Sequence, residues 1–315
     1  MTPRRVRVRA PGKVNLHLSV GPAGEDGFHP LATVFQAVDL YETVTATLRE
    51  DSLITLTVDA VPALQGSIAQ VPTDHGNLAW QAALAVREHF GVDAGADLHI
   101  RKGVPVAGGM AGGSADAAAA LVACAELWDC GASKADLMDL AASLGSDVPF
   151  SLHGHTAVGV GRGADLTPAM VRGEYHWVFA TQGEGLSTPA VFREFDRLAQ
   201  EAGEVPGNPQ LDAAVMTALR SGDAEALGEA LTNDLTDAAL SLAPHLEYTM
   251  AAMQEADALG VVLSGSGPTV AALALSRQHA VSMAARVTAA KVAHAVFTAT
   301  GPAQGTVILD EGTTS

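Results

Sequence analysis

Pro105-Val106-Ala107-Gly108-Gly109-Met110-Ala111-Gly112-Gly113-Ser114-Ala115-Asp116 places four glycines and three alanines in one short segment, directly ahead of an alanine-rich run. So few side chains leave the backbone uncovered. Free N–H groups at the start of a following helix, with the positive end of its dipole, make an anion site. Small residues let phosphate oxygens reach the main chain. The loop is not a Walker A motif. Gly108 and Gly113 have that spacing, but Ser114-Ala115 stands where Lys-Ser/Thr is required. No strand–helix–strand unit with a ribose-binding acid follows, which argues against a dinucleotide fingerprint and an NAD-dependent oxidoreductase. The plainer reading is a flexible loop with Ser114 as helix cap; Ser114 could cap and also touch phosphate or Mg²⁺.

Three further segments could do chemistry. Lysine is scarce, with Lys13, Lys102, Lys134 and Lys291 the whole set, so Lys13 inside Ala10-Pro11-Gly12-Lys13-Val14-Asn15-Leu16 stands out. It sits at a strand start, where a rigid element can aim it; otherwise the segment is a hairpin turn with an exposed lysine. Leu263-Ser264-Gly265-Ser266-Gly267-Pro268-Thr269 is a tight turn between strands, or a loop whose backbone contacts a ligand. Gly145-Ser146-Asp147-Val148-Pro149-Phe150 puts an acid among apolar neighbours, where a carboxylate needs a reason to be.

The elements that must position these residues are mixed. Strands are expected over 6–10, 14–20, 32–38, 43–49 and 54–58, with Pro11-Gly12 and Gly21 to Gly27 as turns. A helix follows over 77–90, a strand over 98–102, and helices over 114–128 and 134–144. A strand is expected over 156–160. Beyond a boundary near 167–173 come strands over 176–181, 261–264, 269–275, 295–298 and 306–309. Helices are expected there over 189–200, 211–220, 224–231, 244–258 and 278–290. Irregular alternation with antiparallel hairpins makes the class α+β, with domains expected over 1–168 and 169–315.

The 315 residues are 48% hydrophobic and 17% charged, which supports a folded core, and only 4% aromatic, so Ala, Val and Leu must fill it. A formal net charge of −17 argues against a nucleic-acid or anionic-membrane surface. Cys124 and Cys130 lack CxxC spacing and read as reduced thiols, which suits the cytoplasm. No secretory signal and no membrane span are expected. His153 and His155 alternate without a third ligand, so no metal site is assigned.

The Lys13, Gly108–Ser114 and Gly265 segments, in this order and at these distances, resemble the three motifs of the GHMP kinases. A further resemblance, in PGKVNLHL, GFHPL, GSDVPF and TPAVF, is to those members that phosphorylate a cytidine diphosphate-linked methylerythritol. The resemblance implies a two-domain fold, with a ribosomal protein S5 domain 2-like N-terminal part and a ferredoxin-like C-terminal part. ATP and Mg²⁺ are the implied cofactors and a small molecule the implied partner; assembly as a homodimer is left open.

By that resemblance Asp147 is the catalytic acid residue and Lys13 its paired cation. Pro105, Ala107, Gly108, Gly109, Gly112, Gly113 and Ser114 surround the ATP phosphates, and Asn77 lies near the adenine. Phe28 and Phe192 sandwich the cytosine while His29 meets its edge. Asn15, Thr188, Gly265 and Ser266 line the acceptor site. These roles suit phosphoryl transfer, which needs positioning and charge stabilisation above all, and a planar pyrimidine suits two aromatic faces. The chain departs from many members in Ala107 and Ala111 for glycine, Ala115 for serine and Phe28 for tyrosine. A mevalonate, homoserine or sugar kinase, or a GHMP-like ligand sensor without turnover, are the alternatives; a Phe28, His29 and Phe192 clamp would have no use in the former.

Overall fold

The computed structural model describes residues 4–106 and 108–309. In chain order its elements are β1 (Arg5–Val20), β2 (Leu31–Arg49), β3 (Ile54–Ala60), α1 (Leu78–Phe90), β4 (Gly95–Lys102), α2 (Gly112–Leu127), α3 (Lys134–Leu144), α4 (Val148–His153), β5 (Thr156–Gly161) and β6 (Asp165–Pro168). Then come β7 (Tyr175–Thr181), α5 (Thr188–Ala202), α6 (Ala213–Ser221), α7 (Ala224–Ala230), β8 (Thr232–Asn233), α8 (Thr236–Leu242), α9 (Leu246–Glu255), β9 (Gly260–Leu263), β10 (Val270–Ala274), α10 (Arg277–Ala290), β11 (Ala295–Gly301) and β12 (Val307–Ile308). Among the described residues no helix is long and apolar enough to cross a membrane.

The first sheet runs β12-β1-β2-β4-β3, with β5 on β2, β6 on β5 and β8 parallel to β1. The second runs β11-β7-β10-β9, all antiparallel. Numbered within itself, this is the 4-1-3-2 order of a split βαβ unit, as expected for a ferredoxin-like part.

Long β1 corrects one expectation. Pro11-Gly12 is not a turn but a bulge inside one continuous strand, because Pro11 pairs with Tyr41 and Gly12 with Val38. Asp39-Leu40 is the excess on β2, so β2 is likewise one strand. A bulge accepts a proline that has no N–H to give the ladder. A Cβ on Gly12 would stand 3.1 Å from the Val104 methyls, so the bulge passes close to the chain leading into the glycine loop. Burial changes there too: β1 alternates exposed arginine with buried valine up to Arg9, then is almost wholly buried from Ala10. A strand covered on one face alternates; one covered on both does not.

Helix α2 explains the alanines. Twelve of its residues are buried, including Ala117 to Ala120, so it lies between α1, α3 and the first sheet where larger side chains would not fit. It begins at Gly112, two residues before the position expected from Ser114. Its N-cap is Ala111, left-handed at φ 59°, with no side-chain capping bond. A separate apolar core joins the two sheets through Val14, Leu16 and Val34 on one side and Trp177, Phe179 and Leu273 on the other.

Candidate active site

Immediately past its bulge, β1 carries Lys13 and Asn15 inward. The Lys13 N–H donates to Met110 O at 3.1 Å, tying the strand to the glycine loop. Lys13 Nζ donates to Asn15 Oδ1 at 2.6 Å and stands 3.7 Å from Asp147 Oδ2. Asn15 Nδ2 donates to Thr33 Oγ1 (2.9 Å), which donates to His17 O (2.6 Å), so the pair is held from behind by β2. Lys13 is only 4% exposed. Burial pulls its ammonium below the usual lysine pKa, and the Asp147 charge opposes that fall. Asp147 occupies the N-cap position of α4, yet its side chain makes no cap bond, which leaves the carboxylate free to face the cavity.

The glycine loop is pressed against the far segment. A Cβ on Gly108 would come 2.5 Å from Thr269 Oγ1, with Pro105 behind it, and one on Gly109 would come 2.0 Å from Ser264 O. Ser264 Oγ donates to Gly109 O at 3.1 Å. Gly265 lies against Lys13: its Cβ would stand 3.1 Å from Nζ. Asn233, on β8, donates to both Leu263 O and Gly265 O at 2.8 Å and fixes that turn. Thr188 Oγ1, at the start of α5, meets Ser266 Oγ at 2.8 Å. Gly109 is at φ +76°, where only glycine is at ease. Gly109→Ala should therefore cost about 1–3 kcal/mol or more from overpacking, read as a lowered urea midpoint with a raised KM for ATP. Parental values of both would show that the two loops can separate freely.

Lys13, Asn15, Gly108, Gly109, Gly112, Gly113, Asp147, Thr188, Phe192, Gly265 and Ser266 converge on one cavity of about 330 Å³. Phe28, His29, Thr188 and Phe192 line an adjoining one of about 670 Å³. There His29 and Phe192 lie with ring centroids 5.0 Å apart and 31° between planes. His29 Nδ1 is 2.8 Å from Gly21 O, which places a proton on Nδ1, and Nε2 is 3.4 Å from Asp196 Oδ2. Phe28 is 56% exposed with the Arg162 guanidinium 4.0 Å from its ring centre, so one face of that ring is already covered.

Pro105, Ser114 and Asn77 are outside both linings. Asn77 is the N-cap of α1: its Oδ1 accepts from Ala79 N at 2.9 Å and its Nδ2 donates to Pro72 O at 2.8 Å. Ala107 lies outside the described residues. Ser114 is the third residue of α2 rather than its cap, so the capping expectation is corrected. Among the described residues no group of three or more His, Cys, Asp or Glu side chains is placed to hold a metal ion.

Beneath the start of α2 lies a cluster that sequence reasoning missed. Lys102 Nζ is 2.6 Å from Glu42 Oε1 and 2.5 Å from Asp116 Oδ2, all three buried, while Glu42 Oε2 accepts from Gly103 N at 2.9 Å. A Cβ on Gly112 would come 2.9 Å from Glu42 Oε1, so the cluster is the floor under that residue. Burial, then the neighbouring Asp116, pushes the Glu42 carboxyl up to about 8, and burial also raises Asp116. The scarcity of lysine was the one signal for it.

Family models match both halves of the chain: GHMP kinases N terminal domain over residues 77–155 and GHMP kinases C terminal over 215–293. A 4-diphosphocytidyl-2-C-methyl-D-erythritol kinase from Streptomyces coelicolor is 52% identical over 305 residues, covering 97% of this chain and 99% of that one. One of the same name from Thermobifida fusca is 50% identical over 310 residues, covering 98% and 99%. The crystal structure of a 4-(cytidine 5'-diphospho)-2C-methyl-D-erythritol kinase superposes with TM-score 0.76 at 30% identity, covering 93% of this chain and 98% of that one. The L. major mevalonate kinase in complex with R-mevalonate reaches TM-score 0.74 at 18% identity, covering 94% of this chain and 96% of that one, and shares the fold.

Proposed function

This chain belongs to the GHMP kinase family, and we propose that it transfers the terminal phosphoryl group of ATP to the 2-hydroxyl of 4-diphosphocytidyl-2-C-methyl-D-erythritol, in isoprenoid precursor biosynthesis by the non-mevalonate route. The observation that carries the reading is the Lys13–Asp147 pair, at 3.7 Å, facing a cavity walled by the glycine loop on one side and open to the Phe28, His29 and Phe192 cavity on the other. The relatives named for this reaction match nearly end to end.

The loop fits a polyphosphate. Side chains at Gly108, Gly109 and Gly112 would collide with protein behind them, and the first amides of α2 have no side-chain cap to compete for them. Asp147 orients the acceptor hydroxyl and takes its proton as the oxygen attacks in line. Lys13 lies against the Asp147 carboxylate and, with the loop amides, offsets charge on the transferred group. Mg²⁺ would arrive with the nucleotide and lower the charge on its phosphates, held largely by phosphate and water oxygens; the Asp147 carboxylate is the acidic oxygen donor that lines the same cavity. Phe192 and the free face of Phe28 take the pyrimidine, His29 its edge; Asn15, Thr188, Gly265 and Ser266 border the polyol, and Asn77 sets α1 near the base of ATP.

The division into 1–168 and 169–315 is carried forward with this reading, supported by β6 ending at Pro168 before the second sheet begins. So are a cytoplasmic location and a small-molecule substrate, rather than nucleic acid or a membrane, as partner; assembly as a homodimer stays open. The test is ADP release with ATP and Mg²⁺, comparing the cytidine compound with mevalonate, homoserine and galactose. Turnover restricted to the cytidine compound is expected. Turnover with another acceptor would keep the kinase and overturn the cytidine clamp; ATP binding without any turnover would favour a ligand sensor.

A further inference from the structure

The two cavities share five lining residues: Leu31, Ser146, Arg162, Thr188 and Phe192. Of these Arg162 alone is charged. Lys13 lines only the inner cavity and Arg193 only the outer one. An acceptor that reaches from the catalytic pair to the aromatic pocket must pass this waist. If its two ends are a polyol and a cytidine, the diphosphate between them lies there, among the carboxylates Asp147 and Asp196, on a chain of net charge −17. Two anionic phosphates in that company need a cation.

We propose that Arg162 binds the diphosphate of the acceptor and measures the distance between its two ends; this rests on the function proposed above. The arginine is built for that position. It is the tip of the β5–β6 hairpin, between Gly161 at φ +68° and Gly163 at φ +91°, whose left-handed backbone turns the chain within a few residues. Its guanidinium lies 4.0 Å over the centre of the Phe28 ring, which sets the plane of the fork while leaving the opposite ring face for a base. Its present partner is Asp26 Oδ2 at 2.7 Å, with both side chains more than half exposed. An exposed pair of that kind is held weakly, so a diphosphate can replace it, and a planar fork matches two phosphate oxygens better than an ammonium would. Asp26 Oδ1 also accepts the Phe28 N–H at 3.0 Å, so one carboxylate keeps both the ring and the arginine in place before the acceptor arrives.

The experiment is calorimetric titration of CDP and of cytidine into the parent protein, Arg162→Ala and Arg162→Lys, with ATP affinity and the unfolding midpoint as controls. Arg162→Ala should weaken CDP by roughly tenfold to a hundredfold, the size of a charge-assisted contact, and change cytidine far less; Arg162→Lys should fall between. With the cytidine diphosphate-linked acceptor, KM should rise by a similar factor while kcat holds. Equal losses for CDP and cytidine would overturn the proposal, because the arginine would then only prop the Phe28 ring, and unchanged CDP binding would overturn it too. If the parent protein binds ATP but neither CDP nor cytidine, the cytidine reading itself falls, and this inference with it.

Discussion

Asp147→Asn lowers kcat by about two to four orders of magnitude, the usual worth of a positioned acid or base, and leaves ATP affinity near the parental value. The substitution keeps shape and removes proton acceptance. Asp147 makes no cap bond to α4, so the helix loses nothing by the change. The loop amides proposed to hold the phosphates are on another element, so nucleotide binding should survive. One secondary effect is built in. Lys13 is buried and its pKa already lies low; without the opposing carboxylate it falls further. Asp147→Asn therefore weakens the cation as well. For that reason Lys13→Ala and the double variant should fall to about the same floor, since groups acting as a unit are not additive. Pre-steady-state turnover with saturating ATP, beside direct ATP titration, reads both quantities. Equal losses in binding and in turnover would give Asp147 a structural part instead.

Lys102→Met should destabilise the protein by about 3–5 kcal/mol, because it removes the only cation among three buried groups and leaves the Glu42 and Asp116 carboxyls without it. Stabilities of folded domains are about 5–15 kcal/mol, so this is a large share. Urea unfolding measures it, and the triple change Lys102→Met, Glu42→Gln, Asp116→Asn should recover most of the loss by removing the charges together. An unchanged midpoint in Lys102→Met would mean that water reaches the cluster. The parent should also show a pH slope. Glu42 moves from an ordinary 4.5 to about 8 on folding, so folding takes up a proton between those values. Its contribution is full below pH 4.5 and is lost as pH rises through 8. Glu42→Gln should flatten stability across that window. Because a Cβ on Gly112 would already touch Glu42 Oε1, Lys102→Met should raise the KM for ATP as well, by letting the floor under α2 shift.

Much of the candidate site was legible because it rides on local sequence. A glycine loop ahead of an alanine run announces both an anion site and a closely packed helix, and the strand at Lys13 was readable from its β-branched residues. Pro11-Gly12 misled, because the dipeptide that makes a turn also makes a bulge; only the pairing partner distinguishes them, and Val38, the partner of Gly12, is 26 residues further along. Ser114 misled for a similar reason. Its side chain can cap, but Ala111 adopts the left-handed conformation first and starts the helix earlier. Short α4 and α8 were not foreseen: six and seven residues give too few turns for a periodic pattern. Asn233 and Glu42 were invisible because their value lies in long-range contact. Asn233 serves a turn 30 residues further on, Glu42 a lysine 60 residues away. In Gly161-Arg162-Gly163, an arginine held between two glycines was a signal, passed over because its hairpin carried no motif.

The first sheet has a timetable. Its strands up to β6 end at Pro168, yet β1 gains its outer neighbours from Thr232–Asn233 and Val307–Ile308. At about 5–20 residues per second of synthesis, roughly 7–28 seconds pass between the ribosome making Pro168 and making Ile308. Through that interval β1 is an open edge on a nascent chain, the kind of edge that templates pairing with other molecules. Arg5, Arg7 and Arg9 alternate along it and Pro11 interrupts its ladder, so the strand that carries Lys13 is guarded, until its own late-made neighbours arrive, by charges of which Arg5 and Arg7 stay exposed on the finished protein.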